Sequence, residues 1–432
     1  MRAALLLCAV ALGFAQQPPD PDRLLARAQA SLAEAAAAVP KYTCTETVDR
    51  TYFRQVRQTP RTCDAIVANQ RSVRSRLSLT ATDRLRFDVE VTDGGHEIYA
   101  WPGAARIEVE KVEDMSGGGP LGTGPFGPFL LDIFSNPAVQ FQYLNESTVA
   151  GVSLFEYRYR VPLAGSHYRV QAGVIWRTTG YDGAFRLDPG SAELKQLTVR
   201  TLELPADTAS CEATTIMDFD RMRIGEGEYL IPRQTRLQVI GRDASFTENA
   251  IAYTGCHEFR GESSVRFDDA TPLPDTGSRP SVPVHALRLP AGLPIVVVLD
   301  TEIDTSRAAA GDAVSARIGK AVVDPATRRV LAPAGTTIRG RITHLEHHLE
   351  GKKYFLIGMS FQDFPVALDA AHQVLETRVS SDLSDPRGQT GIAAWESHTG
   401  FRGGGTLVFP GGQSKYVVPS GYRSNWITLG EN

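Results

Sequence analysis

The sequence predicts a mainly β protein: an N-terminal curved antiparallel half-barrel with one packing helix, followed by a smaller C-terminal β-barrel. Three observations predict it. Apolar and polar residues alternate strictly through many stretches of the N-terminal half. A proline-rich segment then interrupts the chain at 269–284. Beyond it the strands are short and apolar, introduced by Pro-Ala-Gly turns.

A chain of 432 residues is long for one compact core and suggests two domains. The organisation expected is a leader at 1–15, a half-barrel domain at 20–268, a linker at 269–284 and a small barrel at 285–432. In the leader, Arg2 precedes the apolar run Ala3 to Phe14, with small Gly13 and Ala15 before Gln16-Gln17-Pro18-Pro19. That run rises only about 18 Å as a helix, against roughly 30 Å of bilayer hydrocarbon. It therefore reads as a signal peptide cleaved near Ala15, giving a periplasmic or secreted product that is not an integral membrane protein. Cys8 lies inside the apolar run and leaves with it.

The residues 20–39 form the packing helix. Asp20 caps it, Pro21 suits its first turn, and Leu24, Leu25, Ala28, Leu32, Ala35, Ala36 and Val39 recur at helical spacing before Pro40. Strands follow. In Arg84 to Val91, residues Leu85, Phe87, Val89 and Val91 face one way and charged residues the other. Asp93-Gly94-Gly95 turns that strand into Glu97–Trp101. Phe155, Tyr157, Tyr159 and Val161 repeat the alternation, and further strands are expected at 105–111, 168–177, 194–204, 212–223, 229–240 and 246–257. One-sided alternation describes an antiparallel sheet with one buried and one wet face.

In the C-terminal half, Ile295 to Leu299, Val314 to Ile318, Thr337 to Ile342, Tyr354 to Phe361 and Thr406 to Phe409 read as strands. Residues 290–297 and 333–340 both begin Pro-Ala-Gly, 43 residues apart, which suggests two related β units closing a small barrel.

Four cysteines remain after the leader: Cys44, Cys63, Cys211 and Cys256. An even number in an exported chain reads as a disulfide framework with three open connectivities. Proximity along the chain favours Cys44–Cys63 and Cys211–Cys256.

Two resemblances carry more. The helix at 20–39, the repeated strands and the run Asp218-Phe219-Asp220 to Pro232 with Gly225, Tyr229, Leu230 and Ile231 resemble the outer-membrane lipoprotein-sorting superfamily, LolA-like and MucB/RseB-like. The start Tyr42-Thr43-Cys44-Thr45-Glu46-Thr47 is similar to secreted proteins of acidobacterial type without an established role. The superfamily resemblance implies an unclosed barrel whose concave apolar face holds an acyl chain or lipoprotein segment. Leu289-Pro290-Ala291-Gly292, Ala310-Gly311-Asp312, Ala332-Pro333-Ala334-Gly335 and Val418-Pro419-Ser420-Gly421 resemble the β-barrel of TrbI-type conjugation-channel proteins. That likeness implies contacts with envelope protein partners.

Candidate ligand-binding residues on the concave face are Leu85, Phe87, Val89, Phe155, Tyr157, Tyr159 and Trp176. Such side chains also make ordinary sheet core, and a half-barrel needs either its own lid or a guest there. Gly122-Thr123-Gly124-Pro125-Phe126-Gly127 matches a dinucleotide fingerprint only in form, because Pro125 and Pro128 interrupt it. A glycine loop leading into a short helix at 127–135 is the expectation. His344-Leu345-Glu346-His347-His348 would place His344, Glu346 and His348 on one strand face. It lacks the H-E-x-x-H spacing and sits beside the charged hairpin tip Glu350-Gly351-Lys352-Lys353.

The formal charge of −4, with 38 arginines and 7 lysines in no basic stripe, argues against nucleic acid. Neither a nucleophile elbow nor a P-loop is present, so no catalytic residue, metal or cofactor is assigned. The reading is an exported non-enzymatic envelope protein with lipid or a lipoprotein segment on its concave face. The alternatives are a structural or interaction module with a self-filled core, and a hydrolase with an unrecognised site.

Overall fold

A computed structural model describes residues 20–258 and 289–428, except 39, 56–61, 74–76, 93–94, 104–111, 116, 150, 173–174, 362–365 and 369–403. The expected leader at 1–15, strand at 105–111 and linker at 269–284 lie outside the described residues.

The N-terminal half opens with helix α1 (Pro21–Ala38) and strand β1 (Tyr42–Gln55), then helix α2 (Cys63–Val73). Strands β2 (Leu77–Val91) and β3 (Glu97–Ala100) form the expected hairpin, and helices α3 (Val112–Met115) and α4 (Pro128–Phe134) follow. Then come β4 (Gln140–Val149), β5 (Val152–Val161), the short β6 (Arg169–Ala172) and β7 (Ile175–Thr178), and β8 (Tyr181–Leu187). Strands β9 (Leu194–Thr201), β10 (Ser210–Ile224), β11 (Gly227–Gly241) and β12 (Phe246–Glu258) complete it. Ten of these strands pair antiparallel in the order β4-β5-β8-β9-β10-β11-β12-β1-β2-β3. The sheet is not closed on itself, as a half-barrel requires.

Several elements escaped the sequence patterns, among them β4 and β8, and β1 and α2 show why. In β1 the inward positions are Tyr42, Cys44, Glu46, Val48 and Arg50, so two charged residues break the apolar alternation. Helix α2 is only 11 residues long, and its Ile66 packs with Ile240, Ala244 and Phe246.

The C-terminal strands are β13 (Pro294–Leu299), β14 (Ile303–Asp304), β15 (Ala313–Ile318), β16 (Val322–Val323), β17 (Val330–Ala332) and β18 (Thr337–His348). They continue with β19 (Tyr354–Phe361), β20 (Val366–Leu368), β21 (Gly404–Pro410), β22 (Val417–Val418) and β23 (Arg423–Thr428). The main ladder runs β20-β23-β13-β15-β18-β19-β21 around one core containing Ile295, Val297, Leu299, Ile338, Ile357, Phe409 and Trp426. Both Pro-Ala-Gly turns place glycine at positive φ, Gly292 at 81° and Gly335 at 86°.

The two halves are joined in one 17-stranded sheet. Strand β18 pairs with the beginning of β2, setting Glu346 opposite Asp83 and His348 opposite Ala81. The Ala310-Gly311-Asp312 turn docks on the same strand. Ala310 N–H donates to Arg84 O at 2.9 Å, Arg86 N–H donates to Ala310 O at 2.7 Å, and the Arg86 guanidinium pairs with Asp312. Only glycine suits position 311: φ is 108°, and a Cβ there would lie 2.2 Å from Arg86 O.

The disulfides correct the pairing favoured by proximity. They join Cys44 to Cys256 and Cys63 to Cys211, at sequence separations of 212 and 148. The reason is topological: β12 returns beside β1, bringing Cys256 to Cys44, while Cys211 packs at the α2 cluster where Cys63 begins the helix.

Non-reducing peptide mapping should recover 44–256 and 63–211 linked peptides and no 44–63 link. Replacing Cys63 and Cys211 together by serine should cost about 2–5 kcal/mol in urea unfolding. Gly311→Ala should cost roughly 2–4 kcal/mol by the same measurement, from a strained φ and a clash with β2.

Candidate functional site

The apolar face of the half-barrel is occupied by the chain itself. Leu24, Ala28 and Leu32 of α1, with Phe129, Leu130, Ile133 and Phe134 of α4, form one core with the inward residues of β5, β8, β9 and β10. The spacing of these α1 residues, four apart, gives the helix the narrow apolar stripe that lies on the sheet. Tyr157 Oη donates to Pro21 O at 2.8 Å, fastening the start of α1, and its ring stacks on Phe185 at 5.2 Å. Over the remaining strands, Met115 and Phe126 cover Tyr42, Val48, Leu85, Phe87, Val89 and Tyr99.

The seven candidate ligand-binding residues therefore divide among three places. Leu85, Phe87 and Val89 belong to the core over β1–β3, and Phe155, Tyr157 and Tyr159 to the core under α1 and α4. None of these six is more than 4% exposed. Trp176 lies elsewhere, on β7 outside both cores, and is 45% exposed.

The interior also holds ionisable groups that patterning did not single out. Glu97 is half-buried and accepts N–H groups from Gly124 at 2.7 Å and Phe126 at 3.2 Å, and the Tyr99 hydroxyl at 2.8 Å. The glycine-rich loop at 122–127 thus binds a carboxylate of its own chain and leads into α4, the short helix expected there. Glu46 is fully buried nearby, and both its carboxylate oxygens lack a hydrogen-bond partner among the described residues. Burial, then the Glu97 charge, pushes Glu46 well above the usual carboxylate range. Burial likewise raises Glu97, against the pull of its donors.

A second buried cluster lies where the halves meet. Arg50 and Asp83 form a two-pronged ion pair, both contacts at 2.7 Å, and Tyr52 Oη donates to Asp83 at 2.9 Å. Burial by itself would lower the Arg50 guanidinium, but the Asp83 carboxylate overrides this and holds it protonated. Gly119 closes over the pair, and a Cβ there would come within 2.5 Å of Arg50 Nη1 and 2.3 Å of Tyr52 Oη. Beside the cluster a groove of about 870 Å³ is lined by Tyr52, Arg54, Asp243, Glu346, His348 and Lys352, among others. Its charges are largely paired locally: Arg54 with Glu350, His348 with Glu346, and Asp243 with the Ser245 hydroxyl.

The histidine cluster follows a register shift in β18 between Ile342 and His344, and its members have separate partners. His344 is buried beside Thr343, and burial lowers its pKa to about 4 against an opposing pull from Glu346. His347 meets Gly411 O at 2.9 Å and stacks on Phe355, while His348 meets Glu346 at 2.7 Å and stacks on Tyr354. No group of three or more metal-ligating side chains occurs among the described residues.

The outward face of the sheet carries a polar trough of about 570 Å³ that includes Glu156, Arg158, Asp182, Arg200, Glu212 and Gln238. Arg200 grips Asp182 with two 2.9 Å bonds and Arg186 binds Glu156 at 3.1 Å, so this trough is lined by salt-bridged side chains.

No protein-family model matches the chain, and no curated protein matches it. Three solved structures align with it. A DUF1329 family protein from Desulfovibrio piger is 9% identical, covering 57% of this chain and 96% of its own, with a TM-score of 0.28. An outer membrane lipoprotein-sorting protein domain from Vibrio parahaemolyticus is 11% identical, covering 58% and 97%, with a TM-score of 0.26. A LolA superfamily protein from Nitrosomonas europaea is 8% identical, covering 55% and 93%, with a TM-score of 0.24. Among the described residues, no helix is long and apolar enough to cross a membrane.

Glu46 sets a pH dependence whose sign follows from linkage. A carboxyl whose folded pKa is raised stabilises the fold fully below its ordinary pKa, and that contribution is lost as pH rises through the folded value. Urea midpoints should therefore fall from pH 5 to pH 9. Glu46→Gln, which keeps the shape and removes the charge, should flatten that slope and be the more stable protein at pH 8. A flat wild-type profile would show that Glu46 is not the buried acid described.

Proposed function

We propose that this is an exported, non-enzymatic protein of the cell envelope that works as a rigid scaffold with a self-filled interior, making contacts through its surface. One observation carries the reading. The apolar face that the superfamily resemblance would assign to a guest is covered by α1 and α4, with Leu24 at 1%, Ala28 at 0% and Leu32 at 3% exposure. Two cross-links between distant parts of the chain support maturation in an oxidising compartment, consistent with a periplasmic or secreted location after removal of 1–15. The joined sheet supports rigidity, since movement of one half against the other would break the ladder between β2 and β18.

A carrier of an acyl chain or lipoprotein segment is the second reading. What favours it is the aromatic surface beneath the helices, formed by Phe155, Tyr157, Tyr159 and Phe185, which displacement of α1 would open to a guest.

The two readings separate on the role of α1. As core, Leu24→Ala or Leu32→Ala should each cost about 2–5 kcal/mol of stability. As a displaceable lid, either change would leave stability nearly intact and strengthen uptake of a fatty acid. Native mass spectrometry of mature protein purified from a bacterial periplasm should give the mass of the oxidised polypeptide alone. A stoichiometric acyl adduct would overturn the filled-scaffold reading.

A further inference from the structure

The connection from β5 to β8 is far longer than a hairpin needs. Val161 and Tyr181 are directly paired, yet the chain between them includes a two-stranded ribbon, β6–β7, that pairs with no larger sheet among the described residues. Connections of this length without a core of their own are commonly functional. The root of the ribbon is anchored: Tyr168 packs edge-on against Phe129 and Tyr181, Thr179 N–H donates to Tyr168 O at 2.9 Å, and Arg177 pairs with Asp207 at 2.7 Å. Beyond the root, every residue of β7 is exposed.

The exposed side chains have an order. Adjacent residues on a strand point to opposite faces, so Ile175 and Trp176 lie on different sides of the ribbon. They are 50% and 45% exposed. Each shares its face with an arginine nearer the root. Arg177 lies two residues from Ile175, and Arg169, opposite Thr178, places its guanidinium 5.5 Å from the Trp176 ring centre. Two residues of strand separate apolar from basic levels by about 6.6 Å.

A protein partner with a flat surface would cover one face and leave the other apolar residue in water. A lipid headgroup layer surrounds an inserted tip on both faces. It also matches the vertical order, with apolar side chains at the acyl boundary some 5–10 Å deep and arginines among the phosphates. Tryptophan is favoured at that level because its ring has an apolar body and a polar N–H.

We propose that the β6–β7 ribbon is a membrane-contact element that inserts Ile175 and Trp176 into the headgroup region of an anionic lipid surface, held there by Arg169. The inference deepens the scaffold reading above by naming the surface it contacts. It does not depend on whether the interior is filled.

The test uses the full mature protein and vesicles of phosphatidylethanolamine with phosphatidylglycerol, against vesicles of phosphatidylcholine alone. Co-sedimentation should show binding to the anionic vesicles that weakens with salt. Ile175→Ser with Trp176→Ser should reduce it at least ten-fold, and Arg169→Gln several-fold on anionic vesicles only. Because the double variant alters surface residues, its melting temperature should match wild type. Trp176→Phe gives a second readout: brominated lipid should quench wild-type fluorescence by a larger fraction than that of the variant, which keeps Trp101, Trp395 and Trp426. The proposal is overturned if wild-type protein ignores anionic vesicles, or if the double variant binds as tightly. It is also overturned if the ribbon instead holds a second copy, seen as a wild-type dimer that the double variant dissolves with no vesicle binding by either. An acyl adduct in the native mass spectrum with ribbon-dependent vesicle binding would defeat the filled scaffold and leave this inference standing.

Discussion

Strand β2 is the member on which the rest of the molecule depends. Its 15 residues are long enough to serve two partners on one edge: Asp88–Val91 pair with β3, and Ala81–Asp83 pair with β18. On its other edge it pairs with β1 along nearly its whole length. One strand thereby aligns the register of the N-terminal sheet and attaches the C-terminal half to it. The Arg84 and Arg86 side chains and backbone, gripping Ser306, Arg307, Ala310 and Asp312, reinforce the same seam. Backbone ladders are more exacting than side-chain contacts, because a one-residue slip would invert every inward position. The junction is accordingly a fixed angle.

That seam explains why charged groups are tolerated at depth. Arg50 and Asp83 lie on paired strands where the two halves cover them, and their geometry is two-pronged with Tyr52 as a third partner. A buried ion pair gains little net stability, since desolvation offsets attraction, but losing either partner is costly. The pair therefore favours one arrangement of the halves over alternatives. Glu97 represents another solution, a carboxylate met by backbone N–H groups of the glycine loop. Glu46 has no such partner among the described residues, and its burial raises its pKa well above the usual carboxylate range, favouring the protonated form.

The filled interior and the exposed ribbon are complementary facts. Aromatic residues that could line a cavity are consumed by α1, α4 and one another, whereas Ile175 and Trp176 are held outside every core cluster by a connection anchored at its root. Hydrophobic surface was thus withdrawn from the place where a guest is expected and presented where a neighbouring surface can reach it.

By itself the sequence determined the β class, the helix at 20–39, the hairpin at Asp93-Gly94-Gly95, the short helix after the glycine loop and the Pro-Ala-Gly turns. These are legible because periodicity, capping and turn chemistry are local. Only the tertiary structure decided the rest. β1 was hidden because inward Glu46 and Arg50 break its pattern, and their burial depends on strands far along the chain. The cysteine partners follow from β12 returning beside β1 and from the docking of α2, neither of which spacing records. Leu85, Phe87, Val89, Phe155, Tyr157 and Tyr159 read identically as cavity lining or core; α1 and α4 settled the burial of the last three, and Met115 and Phe126 that of the first three. Trp176 looked like a member of that set, because alternation shows that a residue faces a side and not whether the strand bearing it belongs to the sheet.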